Sequence, residues 1–139
     1  MSFEPQTAVR LSVIPVDAAF EQSPTIVEVG LLACPDDVNM QIELLSVGYR
    51  ANTLPVDAGD NIQGDLQFID DTDDSVTTLV SNYTFDDNRT ALIVNSVWRG
   101  SQILDAGDVI NFKIDDVSTP DTASEGAAFI VEYRVLRRS

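Results

Sequence analysis

Carboxylates are the side chains this sequence supplies in quantity, and the first question is whether any of them are arranged to do chemistry. The 139 residues carry 23 acids against 8 bases, a formal net charge of −15 at pH 7. The run "DDTDD", Asp70 to Asp74, clusters the hard oxygen donors that calcium takes. It lacks the glycine at the sixth loop position and the glutamate at the twelfth that an EF-hand requires, so a solvated acidic loop is expected there. Paired carboxylates hydrolyse glycosides only when two are held on facing strands in a cleft lined by aromatic and polar groups. One Trp, three Tyr and six Phe, mostly in strand-like patterns, supply such a cleft poorly.

The other chemistries fail on residue type. There is no histidine, which removes the commonest general base, the Ser-His-Asp and Cys-His arrangements and the usual zinc sites. Cys34 stands beside Pro35 and two aspartates. With no cation in sequence to lower its pKa and anions to raise it, it reads as a small buried apolar side chain rather than a nucleophile. As the only cysteine it has no internal partner for a disulfide. The Gly-rich phosphate-binding patterns are missing. "NYT" at Asn82 and "NRT" at Asn88 match the glycosylation acceptor, but "MSFEPQTAVR" does not have the form of a signal peptide, so the match is expected to be coincidental. Neither an enzyme, nor a metal, nor a cofactor is expected.

What the residues do carry is periodicity. Apolar side chains recur at every second position, the mark of strands with one face buried. Eight strands are expected: 8–16, with Val9, Leu11 and Val13 pointing one way and Arg10 and Ser12 the other; 25–33; 39–50, whose alternation slips after Leu44 and whose Gly48 suggests a bulge or a bend, as where a strand crosses between sheets; 61–69; 75–81; 90–98; 109–114; and 127–136. Helices are expected to be short or absent, with "DAAFEQS" around Phe20 the best place for one turn.

A phrase is written twice. "SVGYRANTLPVDAGDNI" and "SVWRGSQILDAGDVI" share Ser-Val, an aromatic-Arg pair (Tyr49-Arg50, Trp98-Arg99), a polar stretch and Asp-Ala-Gly-Asp. Each copy is read as a strand, a polar connection and a return strand, with the glycine supplying a positive φ and the aspartates bonding nearby amides. Two such units in an eight-stranded chain predict a single-domain β-sandwich over residues 1–139, a jelly roll of about eight antiparallel strands built from two Greek-key halves.

With that fold in view, "MQIELLSVGYRANTLPVDAGDNI" and the closing "ILDAGDVINFKI...GAAFIVEYRVL" resemble short all-β virion proteins of tailed bacteriophages, the capsid decoration or cement proteins. The resemblance runs from about Met40 to Leu136. It implies a jelly roll on the capsid exterior that clamps the major capsid protein shell against internal DNA pressure, as a homo-oligomer for which a trimer is favoured. The negative field disfavours nucleic acid and anionic membrane, and no apolar run reaches the roughly 20 residues of a spanning helix. Contacts are expected at the termini and longer loops. Arg134, Arg137 and Arg138, whose guanidinium forks suit carboxylates, together with Phe3 and Phe20, are the candidate partner-binding residues. The alternative is a carbohydrate- or receptor-binding β-sandwich, which would use exposed aromatics.

Overall fold

The computed structural model describes residues 3–5, 8–16, 27–54, 63–85, 90–116 and 125–138. They form nine strands and no helix: β1 (Phe3–Pro5), β2 (Arg10–Pro15), β3 (Val27–Ala33), β4 (Met40–Arg50), β5 (Gln63–Ile69), β6 (Val76–Thr84), β7 (Asn95–Leu104), β8 (Val109–Asp116) and β9 (Ala128–Arg138). The turn around Phe20 and the first Asp-Ala-Gly-Asp, 57–60, lie outside the described residues.

The strands pair antiparallel in two sheets. Sheet A runs β2, β9, β4, β7, with β1 sharing the β2 side of β9; sheet B runs β3, β8, β5, β6. The pairs β2·β9, β3·β8, β4·β7 and β5·β6 are nested like the rungs of one long hairpin. Folding that hairpin over on itself adds the contacts β4·β9 and β5·β8. This is jelly-roll topology in a β-sandwich with four strand positions per sheet, as the patterning implies. Each copy of the repeated phrase sits where the chain passes from sheet A to sheet B, β4 to β5 and β7 to β8.

The core lies between the sheets. Tyr49, Tyr83, Phe85, Phe112 and Phe129 form its centre, with ring centroids from 4.8 to 6.5 Å apart and mostly edge-to-face, the arrangement ring quadrupoles favour. Leu44, Val47, Leu66, Leu104, Ile110 and Val131 fill in around them and are fully buried.

Three expectations are corrected. β4 has the bulge expected at Gly48, a register shift between Val47 and Gly48, but does not cross between sheets: it pairs with β7 and β9 along its length. The slip in its alternation is a bulge at Leu45, between Leu44 and Ser46, which moves the inward set from Ile42 and Leu44 to Val47 and Tyr49. β7 begins and ends later than expected, because 90–94 is a turn and the polar Gly100 to Gln102 continue the strand to Leu104. The last concerns β2, where the alternating apolar side is not the buried one. Val9, Leu11 and Val13 do alternate together, but outward: Leu11 and Val13 are 64% and 65% exposed. Ser12 and Ile14 instead stand opposite the buried Val131 and Phe129.

Candidate docking face on sheet A

The outward apolar side of β2 creates a surface. Its outward residues continue across sheet A in two rows of cross-strand neighbours. Val13 stands opposite Ile130, Ile130 opposite Gly48 and Gly48 opposite Ser96; Leu11 stands opposite Glu132, Glu132 opposite Ser46 and Ser46 opposite Arg99. The small residues in β4 and β7 leave a depression, and the larger ones wall it. The result is a groove of about 400 Å³ with Ser46, Gly48 and Ser96 at its floor, Leu11, Val94 and Ile130 on its sides, and Arg99 with Glu132 at one end. A Cβ on Gly48 would meet the Val94 side chain, so a larger residue there would have to push Val94 aside.

The charged groups on this face are loosely held. Arg99 Nη2 lies 3.9 Å from Glu132 Oε1 with its side chain 74% exposed, and Arg134 Nε lies 3.9 Å from Glu43 Oε1. Ser101 donates to Glu43 Oε2 at 2.6 Å. Arg50 Nε donates to the Leu92 carbonyl at 3.1 Å, steadying the turn that presents Leu92, Ile93 and Val94 to solvent. At surface exposure such pairs are weak, of order 0–1 kcal/mol, so Arg99 can exchange its partner for another carboxylate at little cost.

The sequence candidates fall mainly on the same sheet. Phe3 and Arg138 are register partners in β1 and β9, Arg137 stands between Glu4 and Met40, and Arg134 lies opposite Glu43. The arginines thus share one strand, while the groove residues Leu11, Val13, Val94, Arg99 and Ile130 were not singled out from sequence. A signal was present: β2 carries apolar side chains on both of its faces, Ile14 and Val16 as well as Leu11 and Val13, and only one face can be core.

At one end of the sandwich three connections are tied together. Cys34 N–H donates to the Asp108 carbonyl (2.9 Å) and Gly107 N–H to the Cys34 carbonyl (3.0 Å). The buried Asp108 carboxylate accepts from the amides of Asp71 (2.9 Å) and Asp105 (2.8 Å). The second Asp-Ala-Gly-Asp is therefore a turn of the expected kind, with Gly107 at φ +86°. Cys34 is buried, and its thiol pKa is raised above the ordinary 9.0, first by burial and then by Asp108, Asp105 and Asp37. In the 70–75 connection, Asp70 Oδ1 accepts from Thr72 N–H and Asp73 Oδ1 from Ser75 N–H. Hydrogen bonds from the Ser75 hydroxyl and then the Ser75 amide hold Asp73 below the usual carboxylate range. Among the described residues, no group of three or more His, Cys, Asp or Glu is placed to hold a metal ion.

No family model, curated protein or solved structure matches this chain.

The geometry alone must therefore speak, and it separates charge by sheet. The strands of sheet A bear six arginines, Arg10, Arg50, Arg99, Arg134, Arg137 and Arg138, against Glu4, Glu43 and Glu132. The strands of sheet B bear Lys113 against four acids. Six of the eight exposed large hydrophobics among the described residues, Val9, Leu11, Val13, Leu92, Ile93 and Val94, border sheet A as well. By strand alternation Arg10 and Arg137 take the side opposite Leu11 and Ile130, so the outer face of sheet A bears Arg50, Arg99 and Arg134 against Glu43 and Glu132; in a chain of net charge −15 it is an apolar face close to neutral.

Proposed function

We propose that this chain is a virion structural protein, a capsid decoration or cement protein that seats on the outer surface of the major capsid protein shell of a tailed bacteriophage and stabilises it. The observation that carries the reading is the two-sided surface. A jelly roll with one broad apolar face close to neutral in charge and acids over the rest suits a body that lays one side on a protein shell and turns a negative side to solvent, away from packaged DNA. The residues supplied for this work are shape and contact area rather than reactive groups, and a trimer is the favoured assembly. The carbohydrate-binding alternative draws no support from the aromatics. Tyr49 and Tyr83 are core residues, and Trp98 and Tyr133 pack against the core, so among the described residues no ring stands exposed for stacking on a sugar.

The test is quantitative mass spectrometry of purified virions. The protein is expected at a copy number comparable to that of the capsid protein. Expression in infected cells with none in the particles would refute the reading.

A further inference from the structure

We propose that the groove face of sheet A is the docking site for a second copy of this chain, which enters with its acidic end, so that copies associate head to tail. The inference specifies the homo-oligomer of the proposed function, and it holds or fails whether or not the larger partner is a capsid.

The occupant follows from complementarity that the chain itself contains. The connections 34–39, 70–75 and 105–108, fastened to one another by the Cys34, Asp71 and Asp108 bonds, bring eight aspartates to one end of the sandwich. The remaining two of the eight exposed large hydrophobics, Val38 and Val76, sit at that end: Val38 within 34–39, and Val76 directly after 70–75 where it pairs with Ile69. One chain thus presents two mixed surfaces, apolar with the exposed Arg99 on the sheet A face and apolar with aspartates at the end.

End on end would oppose aspartate to aspartate, and face on face would leave those aspartates without a cation. Face on end satisfies both terms: Val38 and Val76 meet the Leu11, Val94 and Ile130 walls, and the exposed Arg99 exchanges its 3.9 Å intramolecular contact for a fresh carboxylate. The overall repulsion of two copies at net −15 does not forbid this, because charges more than about 8 Å from the contact are largely screened at physiological salt. Two different patches make a heterologous contact, which closes into a ring or runs on as a chain. The smallest ring of that kind is a trimer.

Sedimentation velocity on the full chain tests it. The wild type is expected to sediment as a trimer or larger ring rather than as a 15.2 kDa monomer. A face variant, Leu11→Asp with Arg99→Glu, and an end variant, Val38→Asp with Asp36→Lys, alter exposed side chains only and are expected to keep the wild-type circular dichroism and melting curve while sedimenting as monomers. An equimolar mixture of the two retains one intact face and one intact end, and is expected to form a species of twice the chain mass. A monomeric wild type at high micromolar concentration, assembly by either folded variant alone, or a mixture that stays monomeric would each overturn the head-to-tail contact. Absence from virions alongside a positive result here would overturn the capsid reading and leave this one standing.

Discussion

At the scale of single residues, the connection 105–108 shows a carboxylate used for architecture. Asp108 is nearly inaccessible, and its charge is met by two backbone amides rather than a cation; such charge-assisted bonds are about twice as strong as neutral ones. Asp108→Ala leaves both donors unmet and is expected to cost about 1–3 kcal/mol in urea denaturation. Gly107→Ala combines φ +86° with a Cβ placed 2.6 Å from Asp71 Oδ2, and is expected to cost more than about 1 kcal/mol by the same measurement. Cys34 adds a pH dependence. Its folded pKa is raised, so its contribution is fully present below the ordinary thiol value of 9.0 and is lost as pH climbs from there through the raised value;. Wild type should therefore weaken relative to Cys34→Ala only in the alkaline range, in denaturation midpoints followed against pH. The turn and its glycine were legible in sequence, because each depends on neighbours within a few residues, whereas the thiol pKa is raised mainly by burial and by Asp108 and Asp105 of another connection. The partner of Asp108 was not legible, because the Asp71 amide is supplied by a different connection.

The elements divide between those whose faces the pattern settles and those it leaves open. β8 alternates Ile110, Phe112 and Ile114 inward against polar or smaller neighbours, so only one assignment buries the larger side chains. β2 has apolar residues on both faces, and a shift of one residue in the reading reverses every side chain. Only its pairing with β9 decides, by setting Ile14 opposite Phe129 and Leu11 opposite Glu132. The prediction belongs to this scale: Val13→Ser should change stability by no more than about 0.5 kcal/mol, whereas Phe129→Ala, in the aromatic centre, should cost about 3–5 kcal/mol. Thermal denaturation separates the two. The expected end of β7 at Trp98 failed for a different reason. Gly100, Ser101 and Gln102 look like a turn in sequence, but β4 offers a ladder to pair with, and the bulges opposite Leu45 and between Val47 and Gly48 absorb the mismatch. Tertiary pairing overrides local propensity there.

For the whole molecule, the topology follows from strand number and patterning, while the charge segregation does not follow from composition. Net charge is a sum, and it hides six arginines gathered on one sheet. Among the described residues the two ion pairs within 4 Å both lie on that sheet, leaving the acidic end without a cation in contact. Screening should relieve the repulsion there, so the melting temperature should rise as sodium chloride increases from low to moderate concentration, in contrast to a fold held by salt bridges. The claim that joins these scales is that the chain is an adhesive shell protein, and the most direct measurement is the temperature at which particles made with and without it release their DNA. Particles lacking the protein should open at lower temperature and regain the full value when the purified chain is added back. Coincident release curves for the two kinds of particle would contradict the account.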